Sequence, residues 1–243
     1  MKCIYMKLVG ITISLTLLFV ALINLLNFTG FKSVNSVYNE ENNIIIIDAG
    51  HGGEDGGAIA LDKSYEKDYN LDIALKLEKI MKLYGFKVIM TRTTDTMTCD
   101  DGLKTQRAKK VSDIRNRMKI IEQNSNNAIF ISVHQNKFSD ERQNGTQVFY
   151  SHNNAKSKML ADEIQNSVVS NIQKDNKRVT KKSGTEIYLL YHSQIPSVLV
   201  ECGFLSNIND LQLLKNEEYR FKIAMLIADG IINYMYKGDL NGK

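Results

Sequence analysis

Ile44 to Ile47 form an unbroken β-branched run ahead of a glycine-rich turn, the pattern of a strand buried on both faces. From Glu66 to Tyr84 the apolar positions Leu71, Ala74, Leu75, Ile80 and Tyr84 recur at helical spacing, and Gly85 follows as a C-cap. Phe86 to Thr91 predicts a second strand. Val111, Ile114, Met118 and Ile121 predict one apolar face of a second helix. Ala128 to Val133 is another continuous apolar strand, and Thr146 to Tyr150 alternates as a half-buried strand does. Leu160, Ile164, Val168 and Ile172 stripe a third helix. Glu186 to Leu190 and Ser197 to Val200 predict two further strands, with Pro196 just before the second, where a missing donor does least harm. Ser206 is placed to cap a short helix, and Phe221, Ala224, Met225, Ala228 and Ile232 stripe the last one. The order βαβαββαββα predicts a three-layer αβα domain around a mixed, mostly parallel sheet of about six strands.

The N-terminus follows a different pattern. Leu8 to Phe28 carries no charge and as a helix would be about 31 Å long, close to the hydrocarbon thickness of a bilayer. Lys2 and Lys7 precede it, and no basic residue follows until Lys32. The positive-inside rule then puts the rest of the chain outside the cytoplasm. No A-x-A cleavage site follows, which favours a signal anchor over a cleaved signal peptide. The expected organisation is therefore a signal anchor or signal peptide over 1–30 and a polar tether over 31–43. A catalytic domain over 44–237 and a short tail over 238–243 complete it.

Composition adds exclusions. Apolar residues make up 43% and charged residues 24%, so the chain is not of the disordered class. The net charge of +4 includes Lys2 and Lys7 and is too small to argue for nucleic acid as a partner. Three cysteines, one of them Cys3, do not make a disulfide framework.

Three apolar strands carry a residue that does not belong in a core. IIIIDAGHGG reaches His51, AIFISVHQN reaches His134, and SVLVECGF contains Glu201. Ligand sites of open α/β sheets lie at the carboxyl ends of strands, so the three can converge. Glu201, between Val200 and Cys202, requires a cation, a metal or a proton, because an unpaired buried carboxylate is costly. Arg92 is the candidate for an ordinary ion pair with it, and residue chemistry alone leaves ion pair and functional site evenly matched. Glu66 by itself reads as a first-turn acid favouring the helix dipole. His152 and His192 read as rim residues, and His192 could line a substrate groove. Two His and two Glu suit a catalytic zinc with two His and one carboxylate as ligands. The remaining Glu would then be the base, and spacing does not say which Glu is which. No H-E-x-x-H helix is present.

In order, the blocks IIIIDAGHGGEDGGA, EKDYNLDIALKLEKIM, VIMTRTTD, IFISVHQN, GTQVFYS and IPSVLVECGFLSN resemble those of the zinc-dependent N-acetylmuramoyl-L-alanine amidases. The likeness runs from about Ile44 to Tyr236. It implies one Zn2+ per chain held by His51, Glu66 and His134, with Glu201 as the catalytic residue, and Arg92, Asn136 and His192 as candidate substrate contacts. It implies hydrolysis, by zinc-activated water, of the amide between N-acetylmuramic acid and the L-alanine of the stem peptide. The anchor-plus-catalytic-domain layout resembles the germination-specific, spore-cortex branch, in which stem-peptide removal lets a deacetylase form muramic-δ-lactam. The partners implied are peptidoglycan, a membrane through the N-terminal helix, and a regulatory protein, with no nucleic acid. The place implied is the space around the forespore. Ala49 departs from the family's usual Pro, and Thr93 to Met118 is long and basic for the pattern. Two other readings share the fold: a module that grips peptidoglycan or a partner without hydrolysis, and a zinc exopeptidase acting on ordinary peptides.

Overall fold

The computed structural model describes residues 44–240. The anchor and tether expected over residues 1–43 lie outside the described residues. Among those described, no helix is long and apolar enough to cross a membrane.

The strands are β1 (Ile44–Ala49), β2 (Lys87–Met90), β3 (Ala128–Asn136), β4 (Gln147–Tyr150), β5 (Lys181–Lys182) and β6 (Ser197–Phe204). The helices are α1 (Glu66–Leu83), α2 (Gln106–Gln123), α3 (Lys156–Ile172), α4 (Tyr188–His192), α5 (Ile208–Lys215) and α6 (Glu217–Leu240). The strands form one sheet in the order β2-β1-β3-β6-β4-β5. The pairs β2–β1, β1–β3 and β3–β6 are parallel, and β4 runs antiparallel to β6. The mixed three-layer architecture is therefore the expected one.

Side chains alternate across the sheet. On one face Ile46, Phe130 and Leu199 pack with Met118 and Ile121 of α2 and Leu189 and Leu190 of α4. On the other face α1, α3 and α6 cover the sheet, burying Ile73, Leu77, Leu160, Ile164, Ile223 and Ile227 completely. Helices on both faces bury Ile45 to Ile47 of β1 and most of β3, which is why those stretches read as continuous apolar runs.

Four expectations need correction. Glu186 to Leu190 is not a strand: the segment ends in the helical turn α4, with Leu189 and Leu190 both buried and Tyr188 and Tyr191 outward. A strand would send the adjacent leucines to opposite faces, and only one face here is apolar. The inner face of α2 is not purely apolar, because Val111 is exposed while Ser112, Asp113 and Arg117 are buried. The stripe on α6 is rotated: Phe221 and Met225 are exposed, and Ile223, Ala224, Ile227, Ala228 and Ile231 face inward. Contact with both α1 and α3 widens that apolar band, and the predicted stripe followed its edge. The cap of α5 is Asn207, whose side chain accepts from the backbone N–H groups of Asn209 and Asp210, while Ser206 Oγ accepts from Phe138 N–H. The two-residue β5 has no counterpart in the sequence pattern, and α6 runs to Leu240.

Candidate active site

The carboxyl ends of β1, β3 and β6 lie side by side because those strands are adjacent and parallel. The register puts His134 of β3 directly beside Glu201 of β6. His51 follows β1 by two residues, in the left-handed region at φ 61°. Glu66 opens α1, and the chain between His51 and Glu66 folds back through the bridge between Ile59 and Tyr65.

Three of the predicted residues meet there. One donor atom each from His51, Glu66 and His134 lie within 4.8 Å of one another. Glu66 Oε2 is 3.1 Å from His51 Nε2, and Oε1 is 2.8 Å from His134 Nδ1. The imidazole rings stand edge to face with centroids 5.0 Å apart. The Glu66 carboxylate is fixed from behind. Its Oε2 accepts from Ala58 N–H (2.9 Å), and its Oε1 accepts from Gln135 N–H (3.1 Å) and Asn70 Nδ2 (3.2 Å). Asp55 Oδ2 lies 2.9 Å from His51 Nδ1 and so sets which way that ring points.

Two glycines make the convergence possible. A Cβ on Gly50 would fall 2.2 Å from His134 Nε2, and one on Gly57 would fall 2.6 Å from both Glu66 Oε2 and His51 Cδ2. Gly57 also has φ +67°, where a side chain is strained in any case.

The electrostatics are those of a site short of one positive charge. Burial works against the charged carboxylate of Glu66, yet the two imidazoles facing it hold it far below the usual carboxylate range. Burial likewise disfavours the His51 imidazolium, but Asp55 and Glu66 push that ring up to about 9. Burial and the charge of Glu66 push Glu201 up to about 8, with His51 pulling weakly the other way. Glu201 Oε2 is inaccessible to solvent and has no hydrogen-bond partner. A divalent cation answers all of this. Tetrahedral zinc with bonds of about 2.0–2.1 Å separates its ligand atoms by about 3.3 Å, near the observed spacing of His51 Nε2 and Glu66 Oε2. The donor set, two imidazoles and a carboxylate, fits zinc.

The remaining candidates are placed differently. Arg92 makes no ion pair with Glu201. Its guanidinium is buried and donates to the carbonyls of Ala49 (2.8 Å), Gly50 (3.0 Å), Lys67 (2.9 Å) and Thr94 (3.0 Å), clamping the loop after β1 to α1. Asn136 ends β3 just past the bulge that follows His134, and its carbonyl accepts from Leu205 N–H. His192 is exposed on α4, its ring 4.2 Å from that of Tyr188. Tyr188, Glu186, Lys110 and Arg117 are among the residues lining a cleft of about 370 Å³ that also includes His51 and His134. Sequence reasoning missed Asp55, Asn70 and the buried pair Asp48–Arg117. Asp48 carried the same signal as Glu201, an acid inside an apolar strand, and could have been found by it.

A three-layer α/β fold with a His–Glu–His cluster and an orphaned carboxylate at its strand ends defines a class, hydrolases able to hold one catalytic metal ion. The chain belongs to the N-acetylmuramoyl-L-alanine amidase family, whose model matches residues 45–233. It is 36% identical over 197 residues to a germination-specific N-acetylmuramoyl-L-alanine amidase of Bacillus subtilis, covering 81% of each chain. Among solved structures it resembles the CwlD amidase of Clostridioides difficile, determined in complex with the GerS lipoprotein. That match has a TM-score of 0.77 and 42% identity, and it covers 80% of this chain and 99% of the other. It also resembles the amidase AmiC2 of Nostoc punctiforme, with a TM-score of 0.66 and 30% identity, covering 79% and 97%. The protein is thus an N-acetylmuramoyl-L-alanine amidase, an enzyme of peptidoglycan.

Proposed function

We propose that the protein is a zinc amidase that removes stem peptides from muramic acid during spore-cortex maturation, so that a deacetylase can form muramic-δ-lactam. The observation that carries the chemistry is Glu201 Oε2, buried and without a hydrogen-bond partner among the described residues, on the strand beside a His–Glu–His cluster. His51, Glu66 and His134 would hold the ion. Zinc supplies Lewis-acid polarisation of a carbonyl and acidification of water. The chain supplies the rest. Glu201, whose proton affinity is raised by burial and by the charge of Glu66, would in its ionised form take the proton of the attacking water and deliver it to the departing L-alanine amine. Asp55 orients His51, and Asn70 with the Ala58 and Gln135 amides holds Glu66 in its bridging orientation.

The cortex role rests on likeness to the germination-specific relative. A regulatory protein partner is supported by the CwlD structure, which contains a lipoprotein. Work outside the cytoplasm, with Leu8 to Phe28 as the membrane anchor, rests on the charge asymmetry of the N-terminus.

The test is release of new N-terminal L-alanine from intact peptidoglycan, with zinc, with chelator, and with Glu201→Ala. Zinc-dependent release that is lost in a variant retaining its metal is the expected result. Loss of metal in Glu201→Ala would exchange the roles of Glu66 and Glu201. Tight zinc binding with no release from any wall substrate, even with the partner added, would leave the non-hydrolysing module. Release of amino acids from ordinary peptides without glycan would point to the exopeptidase.

A further inference from the structure

The loop that delivers His51 is held by a buried charged side chain that is among those lining the same cleft and lies outside the three-residue ligand cluster. Arg117, on the inner face of α2, is 2% exposed and makes four hydrogen bonds. Its Nη2 donates to the carbonyl of His51 (2.7 Å), and its Nη1 donates to the carbonyl of Ala49 (2.8 Å) and to Asp48 Oδ1 (2.6 Å). Its Nε donates to Asp113 Oδ2 (2.8 Å), one turn earlier on the same helix. Asp48 is itself locked to both neighbouring strands, since Thr91 Oγ1 donates to it at 2.7 Å and Ser132 Oγ at 2.6 Å. Asp113 accepts from Thr98 N–H and Thr98 Oγ1.

This wiring explains a backbone feature that the metal cluster alone does not. His51 is one of only three non-glycine residues among those described with positive φ. That conformation is disfavoured for a residue with a Cβ and persists only where the surroundings over-determine it. Arg92 and Arg117 hold the carbonyls of Ala49 and Gly50 on one side, and Arg117 alone holds that of His51. With the His51 peptide fixed and Asp55 fixing its ring, Nε2 is held 3.1 Å from Glu66 Oε2. A planar fork with several donors in fixed directions can bridge two peptide carbonyls and two carboxylates at once, whereas an ammonium cannot.

We infer that Arg117 is a positioning residue for the metal centre: it holds His51 in the left-handed conformation that makes it a ligand. The inference rests on the zinc reading above. Zinc dissociation constants are measured by chelator competition on the full chain, for wild type, Arg117→Lys and Arg117→Met. The visible absorption of the cobalt-substituted proteins and amide hydrogen exchange over residues 49–53 of the metal-free proteins are recorded alongside. Leu160→Ala, in α3 on the far face of the sheet, controls for a general loss of stability. Arg117→Met is expected to weaken zinc about 10–100-fold, the usual range for lost outer-sphere support. Arg117→Lys should fall between it and wild type, with an altered cobalt spectrum and faster exchange over residues 49–53. Leu160→Ala should lower Tm and leave zinc affinity and the spectrum unchanged. Should Arg117→Met not fold, Arg117→Lys decides. Wild-type zinc affinity and cobalt spectrum in folded Arg117→Lys or Arg117→Met, with only Tm lowered, would overturn the inference. Failure of the wild-type protein to bind zinc would instead overturn the reading on which it rests.

Discussion

Glu201→Gln should make the metal-free protein more stable at neutral pH while abolishing its work. The wild-type carboxyl is held at about 8 in place of its ordinary 4.5. Below pH 4.5 the folded and unfolded chains both carry the proton, and burial of the group incurs no ionic cost. Between 4.5 and about 8 the unfolded chain releases the proton and the folded chain retains it, so stability falls by up to about 1.4 kcal/mol per pH unit. At pH 7 that amounts to about 3 kcal/mol. Glutamine does not titrate, and its buried amide, lacking a partner much as the protonated acid does, costs about 1–3 kcal/mol in both pH regimes. That contribution therefore cancels in the pH dependence. Glu66 and His51 titrate in both proteins and cancel to first order. The assay is urea unfolding of chelator-treated protein at several pH values from 4.5 to 8, comparing midpoints at constant m. The gap between variant and wild type should be near zero at pH 4.5 and widen in favour of Glu201→Gln as pH rises. A gap that does not change with pH would show that the carboxylate is solvated, and would remove the argument that its burial poises it as a base. With zinc restored, the same variant should bind metal normally and turn over about 10²–10⁴-fold more slowly, the usual contribution of a positioned base.

Asp48 is expected to report acid stability. Despite its burial, the Arg117 guanidinium and the Ser132 and Thr91 hydroxyls hold it at about 2. It therefore contributes about 2–3 kcal/mol above its ordinary value of 3.8, lost as pH falls through 2, so the deficit of Asp48→Asn measured by denaturation should shrink below pH 4. Gly57→Ala should weaken zinc at least tenfold by chelator competition, since its Cβ would meet Glu66 and His51, whereas Gly102→Ala, at φ +77° with nothing within 4 Å, should cost about 1–2 kcal/mol of stability and leave zinc alone. Equal zinc affinity in the two would contradict the packing assigned to Gly57. Gly230→Ala should lower Tm by several degrees, because its Cβ would lie 2.5 Å from Ile164 Cα and force α6 away from α3, an overpacking cost of about 1–3 kcal/mol. An unchanged Tm would mean that the two helices separate freely.

Two residues of the candidate site were legible because they break a pattern, whereas Glu66 looked like an ordinary first-turn acid until the family resemblance singled it out. His134 and Glu201 interrupt runs that are otherwise apolar, and a long apolar run with one charge is costly unless the charge has a task. What periodicity cannot see is a partner far along the chain. Nothing in the apolar stripe of α2 singles out Arg117, yet it is buried and reaches Asp48 across 69 positions. Only tertiary contact reveals that pair. The segment Glu186 to Leu190 failed for another reason. Five residues with two adjacent leucines satisfy strand and helix equally, and the choice is made by the apolar patch of Ile46, Phe130 and Leu199 on which the leucines land together. Asp55 sat in plain view within HGGEDGGA, but spacing to His51 could not show that the Gly52–Asp55 turn would bring its carboxylate under the ring.

The topology sets the two carboxylates, proposed as ligand and as base, in different surroundings. Glu66 arrives on the N-terminus of a helix, where burial opposes its charge but two imidazoles and the Ala58 and Gln135 N–H groups favour it and lower its proton affinity. Glu201 arrives from inside a strand between β3 and β4, where the backbone amides belong to the ladders and none turns towards its side chain. Two identical functional groups are driven apart in proton affinity by the element that delivers each, and the proposed mechanism rests on that separation: one carboxylate would hold the metal while the other carries the proton.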